Sequence, residues 1–475
     1  MVVQAEKPDT SGPSEQVGLV AVQERTDPVW AWAAYQPDAR RPWSLPLAAH
    51  LYRRAAFGAG WGQLQQSLRE GPQGTVDRLL RPQADVDAFN RAYDAYETAA
   101  GGSVNERRAW WLRRMIETPH PLLEKMTLFW HSHFAMNGGM VDDPQLVQEH
   151  TRLLRSHALG SFGSLLQAMS RDPAMLIWVG ADVNRKAAPN EGFVRPLMET
   201  FTLGPGNFTE EDIREAARAF TGRFVLRGQL RSIPREHDET VKHILGREGD
   251  WTADDVVRIV LEHPATPRML VRRLFRWLIS ETAEPDEALV APLAQSFALD
   301  YSVSNLVETM LRSNLFFSPR SYRARVKCPV EYAVGIVKAL EQGVPTIPLA
   351  DDVAGLGQDL YHPPTVKGWK GGRYWISTAT LVRRHNLSAA LLQGGEPYGN
   401  KLDPWTVAQR YGSTTPESAA RFLVDLFVQG DLDPGVREAL LAEVRKSATD
   451  SEGGPGALLR GLAHAVVTLS EFQLA

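Results

Sequence analysis

Apolar residues recur at helical spacing along most of the chain, and proline and glycine mark where these runs begin and end. In the segment 105–117, Trp110, Trp111, Met115 and Ile116 follow this spacing, and the run stops shortly before a proline. A helix with such a pattern buries one stripe of its surface against its neighbours. The pattern therefore predicts a mainly α-helical fold, a large domain of many helices.

Two segments depart from the helical pattern. Residues 223–250 show short apolar alternation that is interrupted by Gly228 and Pro234. Because alternation with a period of two is typical of strands, we predict a small β-hairpin flap over 223–250. The second segment, 361–375, is rich in proline and glycine. Irregular ordered loops of this kind are more often functional than mere connections.

The chain has 475 residues, enough for one large domain or for two or three smaller ones. We predict a flexible polar leader over 1–26 and a main helical domain over 27–394, which includes the flap. A C-terminal helical portion, 395–475, is predicted to pack on it. The start lacks the basic and apolar regions of a secretory signal, and no apolar run approaches about 18 residues. We therefore expect a cytoplasmic protein without a membrane span.

The charge balance and the motifs exclude several function classes. Lys+Arg 52 against Asp+Glu 56 gives a net charge of −4, so nucleic-acid binding is not expected. Only the basic helix with Arg268, Arg272, Arg273 and Arg276 favours it, and a solvated helix face is the alternative. The single cysteine, Cys328, excludes an internal disulfide, and we expect it to be inert. Enzymes that depend on a P-loop, GxGxxG, HExxH or GxSxG motif are also excluded.

Four residues are candidate metal ligands. His131 and His133 lie at a predicted helix end, and residues two apart reach one metal only if the helix stops there. His237 and Asp238 lie in the flap. Imidazole and carboxylate groups bind divalent metals, so a divalent metal is a possible cofactor. The alternatives are one buried and one surface histidine in the first pair, and solvated loop charges in the second.

Four further residues are candidate catalytic groups. Glu191, Arg195 and Glu199 are spaced i, i+4 and i+8, which places them on one helix face. Pro196 lies inside this segment and is predicted to kink the helix. Lys242 follows the candidate ligands of the flap and could serve acid–base work. The alternatives are an intrahelical ladder of ion pairs and solvated charge.

Three residues are candidates for substrate binding. Asn190 precedes the helix of Glu191 and would be re-aimed by the predicted kink. Lys367 and Trp369 lie in a stiff, proline-rich loop, which suits the wall of a pocket, with plain packing as the alternative. We expect the helix end near residue 131, the helix near 190–199 and the flap to converge on one site.

Several ordered motifs carry a resemblance to a known family. They are LYRRAAFGA (51–59), WWLRRMIETPHPLLEKMTLFWHSHFAMN (110–137), LLRSHALGSF (153–162), RDPAML (171–176), PNEGFVRPLMETFTLGPGNFTEEDIREAARAFTG (189–222), HDETVKHILGREGDW (237–251), VKCPVEY (326–332) and LGQDLYHPPTVKGWKGGRYWIS (356–377). With these motifs, roughly residues 45–475 resemble the bacterial family known as domain of unknown function 1800.

The resemblance implies a mostly helical protein without an assigned activity, of a kind that is often exported. Many members are encoded beside a second protein that looks like the alkaline phosphatase and sulfatase superfamily, which implies a working relationship with such a partner. The polar positions that the resemblance singles out in this chain are His131, His133, Asn190, Glu191, Arg195, Glu199, His237, Asp238 and Lys242.

The chain departs from the family pattern at one motif. Where the family usually has Asn-Glu-Asn-Phe-Ala-Arg-Glu, residues 190–196 are Asn-Glu-Gly-Phe-Val-Arg-Pro. Gly192 thus replaces a polar residue and Pro196 replaces a carboxylate. If that carboxylate is a ligand or an acid in relatives, this chain has altered or lost the chemistry.

Two function hypotheses follow. The first is an enzyme with a polar site, with metal-assisted hydrolysis or oxidation of a small polar substrate as its reaction. The second is a non-catalytic scaffold or maturation partner of the co-encoded protein, in which the polar residues form a buried network. The scaffold hypothesis also predicts an exposed apolar patch.

Overall fold

The computed structural model describes residues 27–99, 103–394, 396–399, 401–447 and 454–475. The predicted leader over 1–26 lies outside these residues. The fold is mainly α-helical with small antiparallel sheets, as the hydrophobic pattern predicts. None of the helices in the described ranges is long and apolar enough to cross a membrane.

The helices are bounded by the expected local signals, and many begin with proline in the first turn. Those of the N-terminal part are α1 (Pro28–Trp32), α2 (Leu45–Ala55), α3 (Trp61–Leu80), α4 (Val86–Ala99), α5 (Val104–Glu117), α6 (Pro121–His133), α7 (Pro144–Ser156), α8 (Phe162–Met169), α9 (Pro173–Trp178), α10 (Val194–Pro196) and α11 (Glu210–Ala219). Those that follow are α12 (Ala253–Glu262), α13 (Ala265–Leu278), α14 (Glu287–Phe297), α15 (Val303–Arg312), α16 (Pro329–Ala339), α17 (Thr346–Gly355), α18 (Thr378–Gln393), α19 (Pro404–Arg410), α20 (Pro416–Val428), α21 (Pro434–Ser447), α22 (Gly454–Thr468) and α23 (Ser470–Gln473). A π-helix, Leu197–Thr202, continues α10, and 3₁₀ turns span Gly138–Met140, Pro234–Glu236 and Gly372–Trp375.

The predicted flap is confirmed, and it consists of two hairpins. Strands β2 (Arg223–Leu226) and β3 (Gln229–Ser232) pair antiparallel, and β1 (Val183–Asn184) adds to the free edge of β2. Strands β4 (Lys242–Ile244) and β5 (Arg247–Gly249) form the second hairpin. Both turns have two central residues with positive φ, 53° and 71° in the first and 49° and 75° in the second. Such turns match the twist of the paired strands, and glycine in the second position favours them.

One apolar core joins the N-terminal and C-terminal parts of the described chain. Helices α20 and α22 pack against α16 and α18 respectively. Arg384 on α18 donates to Gln473 Oε1 on α23 at 3.0 Å. The C-terminal helices therefore share contacts with the main helical part, while a domain boundary at 394/395 stays a prediction.

Two buried carboxylates lie inside this core with cations around them. Glu331 accepts hydrogen bonds from the Lys125 ammonium and the Arg325 guanidinium, and its second oxygen accepts from the Cys328 amide at 2.9 Å. Glu124 accepts from Arg114 at 2.6 Å. A buried charge is tolerated only when it is paired and hydrogen-bonded, so these clusters fix how the surrounding helices meet.

Candidate functional site

His131 is a structural histidine that holds the irregular loop onto α6. Its Nε2 accepts the Tyr361 amide at 3.1 Å, so the proton of the neutral ring lies on Nδ1. The ring packs against Trp111, Tyr361 and Trp369 at centroid distances of 5.1, 5.4 and 5.6 Å. Burial lowers the pKa of His131 to about 3. Metal binding through Nε2 would require the loop amide to be released.

His133 faces a different part of the core. Its Nε2 donates to the Phe201 carbonyl at 3.1 Å. That carbonyl is available because Phe201 lies in the last turn of the π-helix, where the carbonyls have no helical donor. Nδ1 is therefore unprotonated, and it is buried without a hydrogen-bond partner. Burial and the neighbouring Arg273 keep the pKa of His133 well below its usual range.

His237 and Asp238 are held by groups of the flap and α11. The Nδ1 of His237 donates to the Thr221 carbonyl at 2.9 Å. Asp238 accepts from Arg218 at 2.8 Å, and although burial opposes it, the hydrogen bonds from Arg218 and Thr240 keep the pKa of Asp238 well below its usual range. Across the described residues, no group of three histidine, cysteine, aspartate or glutamate side chains is placed to hold a metal. These four side chains have separate hydrogen-bond partners, so the structure gives no support to the predicted four-residue metal site.

The predicted carboxylate ladder is divided between two places. Arg195 pairs with Glu191 at 2.8 Å, as its i+4 spacing predicts, and also with Glu210 at the start of α11 at 2.8 Å. Glu199 points elsewhere and pairs with Lys367 at 2.7 Å. The helix starts only at Val194, so Pro196 lies in its first turn, where no helical N–H is lost. A π-helix follows Pro196 in place of the predicted kink.

Asn190 shapes the turn before α10. Its side-chain oxygen accepts the Gly192 amide at 2.8 Å, and its side-chain nitrogen donates to the Gly180 carbonyl at 2.7 Å. A Cβ on Gly192 would collide with the carbonyl oxygen of Val179. The glycine that departs from the family pattern is thus required by this close backbone approach.

Lys242 stabilises the second hairpin and its exit. The side chain is fully buried, and its ammonium donates to Asp250 at 2.8 Å and to the Thr240 carbonyl at 2.9 Å. Both acceptors lie in the flap. These contacts do not bring Lys242 to the helix end near 131 or to the helix near 190–199, although the sequence predicts that these segments converge.

A cleft of about 400 Å³ lies between the end of α6, helix α13 and the loop 356–377. We call it the tryptophan cleft, because three tryptophans contribute to its wall together with charged and polar groups. Its main residues are His133, Arg273, Trp277, Glu281, Lys367, Trp369, Lys370 and Trp375. Of the predicted site residues, the structure brings His133, Lys367 and Trp369 together here.

The loop reaches the cleft through one close backbone contact. Gly368 has a φ of +71°, and a Cβ at this position would fall on the carbonyl oxygen of Ser132 in the last turn of α6. Glycine is required there both by the backbone conformation and by the contact. Lys367 beside it reaches Glu199 on the π-helix, so the loop is fixed at two points.

Arg273 differs from the other arginines of α13. Arg268 and Arg272 pair with Glu287 at 2.9 and 2.7 Å, and Arg276 pairs with Glu284 at 3.1 Å. Arg273 is half-buried and makes no hydrogen bond or ion pair with any part of the chain that the structure describes. Burial and the nearby Arg276 lower its pKa. A guanidinium with five unused donors therefore faces the cleft.

Glu281 and Cys328 are the other titratable groups of the wall. Glu281 accepts the Val326 amide at 3.2 Å, and burial raises its pKa despite the nearby Arg325. Burial also raises the pKa of the Cys328 thiol to about 12, which agrees with an inert cysteine. Glu281 is thus a carboxyl group that takes up a proton more readily than an exposed one.

Sequence reasoning missed several of these groups. Trp277 and Glu281 lie outside the motifs quoted above, whereas Trp375 lies in the motif 356–377 and at the end of the irregular segment 361–375 but is not singled out there. Arg273 belongs to the basic face that the sequence predicts. Its lack of an ion-pair partner depends on the positions of Glu284 and Glu287 in the folded protein. That information is tertiary.

A family model described as "Protein of unknown function (DUF1800)" matches residues 50–474. The fold and the site define a helical protein with an aromatic and cationic cleft. Because the family model matches most of the chain, the chain belongs to this family of unknown function. The resemblance seen in the motifs is thereby confirmed. No curated protein and no solved structure matches the chain.

Proposed function

We propose that the tryptophan cleft is the substrate site of an enzyme that acts on a small organic anion. The observation that carries the proposal is the unpaired Arg273 in the wall of the cleft. A half-buried cation without a counter-charge is costly, and an anionic ligand would supply the missing partner. Charge-assisted bonds from a guanidinium to carboxylate, phosphate or sulfate are among the strong polar contacts in proteins.

The walls favour a ligand with a flat or apolar part. Trp277 and Trp369 are half-buried, and Trp375 is nearly buried, so aromatic surface borders the cavity. Pockets for organic ligands combine such apolar walls with a few polar groups that fix orientation. The cavity of about 400 Å³ suits a molecule of the size of a substituted aromatic ring.

One group could exchange a proton with the ligand, and a second could accept a hydrogen bond from it. Burial raises the pKa of Glu281, which favours its role as a proton donor. Nδ1 of His133 is a buried acceptor without a partner in the described chain. The metal ligation predicted from the sequence is not part of this proposal, whereas Lys367 and Trp369 keep their predicted role as part of the wall.

The test compares two probes of equal shape, para-nitrobenzoate and para-nitrobenzamide, by isothermal titration calorimetry. We expect the anion to bind and the amide to bind at least about tenfold more weakly, since one charge-assisted contact contributes about 1.5–3 kcal/mol. Arg273→Met should weaken binding of the anion by about tenfold to a hundredfold.

Arg268→Met is the matched control, because Arg268 lies on the same helix and is already paired with Glu287. It should leave the affinity unchanged. Equal affinities for both probes, or equal affinities of the Arg273→Met and Arg268→Met variants, would rule out the proposed anion site.

A partner protein remains a second candidate role. Tyr374, Leu381 and Val382 are 61%, 44% and 54% exposed and lie close together in the chain, which is the kind of apolar surface that this role predicts. The partner would be the co-encoded protein of the phosphatase and sulfatase type. Co-expression and co-purification of the two chains tests it, and two chains that elute separately contradict it. The cytoplasmic location and the absence of nucleic-acid binding also stay predictions.

A further inference from the structure

A second, much smaller cavity lies elsewhere in the core. It has a volume of about 30 Å³ and lies between α2, the turn after α2, α16, the end of α20 and α23. An internal space needs roughly 10–15 Å³ to hold a water molecule. This cavity therefore has room for one or two atoms of that size and excludes any organic ligand.

Lys327 contributes a cation to the cavity. Its residue is 5% exposed, and its ammonium lies 3.5 Å from the ring centroid of Phe472, which also lines the cavity. The ammonium makes no hydrogen bond or ion pair in the described residues. Burial, and then the nearby Arg53, keep the pKa of Lys327 well below its usual range.

Arg53 contributes a second cation to the same space. It is 8% exposed, and its Nη1 donates to Gln429 Oε1 at 2.6 Å. Its Nε and Nη2 are buried without a partner. Two buried cations thus line one cavity, and each retains unused donors.

The only carboxylate in the cavity wall does not neutralise them. Glu331 is already engaged by Lys125 and Arg325, which lie behind the wall, and by the Cys328 amide. The positive charge around the cavity therefore exceeds the negative charge. Because a buried cation without a counter-charge is strongly disfavoured, this arrangement favours an anion in the cavity, with water or a deprotonated lysine as the alternatives.

We propose that the cavity between Lys327 and Arg53 is a binding site for a single monovalent anion of the size of chloride. The ammonium and the guanidinium supply the donors, the Gln429 side chain orients the guanidinium, and the Phe472 ring closes the space. The site shares no lining residue with the tryptophan cleft, and its expected role is to stabilise the fold.

Thermal unfolding of the full chain tests the site. As chloride replaces gluconate at constant ionic strength, we expect the melting temperature to rise by about 1–3 °C, because a ligand that binds only the folded state stabilises it. Gluconate is too large for the cavity. Lys327→Met should remove this response to chloride.

Lys338→Met is the matched control. Lys338 is a partly buried lysine, but its ammonium donates to the Ile116 carbonyl at 2.9 Å and lies outside the cavity. This variant should keep the chloride response even if its melting temperature is lower. Loss of the response in both variants, or no response in the original protein, would overturn the proposal.

Crystals grown in bromide give a direct check that needs no variant. Bromide scatters anomalously and has the charge of chloride, so a peak is expected in the cavity beside the Lys327 ammonium. A cavity that contains only water, with no anomalous peak at a bromide concentration that saturates the melting response, overturns the proposal.

Discussion

Arg273 shows how a single position on a helix can differ in function from its neighbours. The arginines around it on α13 are neutralised by Glu284 and Glu287, so their charges contribute little to binding. Arg273 turns toward the cleft, where none of the carboxylates that the structure describes accepts from it. The same sequence pattern, four arginines within nine positions, therefore contains three ion-paired residues and one that is free to bind.

The second residue that sets the character of the cleft is Glu281, because its carboxylate would repel an anionic ligand. Since burial raises its pKa, we expect para-nitrobenzoate to bind more tightly as pH falls and Glu281 takes up its proton. In Glu281→Gln the affinity above the pKa of Glu281 should rise severalfold and should change little on acidification. Calorimetric titrations from about pH 8 to pH 5 measure this.

Among the neighbouring cations, Arg325 has the largest effect on the pKa of Glu281. Its guanidinium is paired with Glu331, so its charge does not change between pH 8 and pH 5. His133 also stays neutral, because its pKa is well below the usual range. An affinity that falls on acidification, or a Glu281→Gln variant with the pH dependence of the original protein, would contradict the assignment.

At the level of elements, helix limits and hairpins could be predicted from local chemistry. Thr209 and Thr252 cap α11 and α12 through capping boxes, and the glycines after Arg227 and Leu245 form the tight turns of the two hairpins. What could not be predicted is which elements meet. His131 and His133 lie two positions apart in the sequence, yet their side chains contact different parts of the protein, because residues two apart diverge around a helix.

The loop over 356–377 is the element that completes the cleft, and Gly368 fixes its position. Gly368→Ala should weaken binding of the anionic probe at least about tenfold and lower the free energy of unfolding by more than about 2 kcal/mol, because the new Cβ displaces the loop from α6. Calorimetry and urea unfolding measure the two effects.

Gly371 provides a close control in the same loop. Its φ is +70°, almost equal to that of Gly368, but a Cβ there meets nothing closer than 3.6 Å. Gly371→Ala should therefore cost only the backbone strain, about 1 kcal/mol. If the two variants lose the same stability, the contact with Ser132 does not position the loop.

At the scale of the whole molecule, three neutral histidines are enclosed in the core. His50, His131 and His133 are fully buried, and burial lowers the pKa of each. In the unfolded chain a histidine takes up its proton near pH 6.5. The unfolded state therefore binds more protons below that pH, and the protein loses stability as pH falls from about 6.5 toward the folded pKa values.

We expect the free energy of unfolding to fall by up to about 4 kcal/mol per pH unit near pH 5–6, about 1.4 kcal/mol for each buried histidine. His133→Gln keeps a donor for the Phe201 carbonyl and should reduce this slope by up to about 1.4 kcal/mol per pH unit. His243→Gln is the control, because the side chain of His243 is 65% exposed. Urea unfolding at several pH values checks the slopes, and an unchanged slope in His133→Gln would count against this account.

The buried charges around Glu331 also bear on how the chain is made. Lys125 emerges from the ribosome 206 residues before the carboxylate that it contacts in the finished core. At about 5–20 residues per second, that interval lasts about 10–40 s. Until Glu331 is synthesised, the Lys125 ammonium lacks this carboxylate partner and stays hydrated. The incomplete chain is therefore charged and exposed to water in a region that is buried in the folded protein. The last third of the polypeptide thus supplies the counter-charge that allows this region to exclude water.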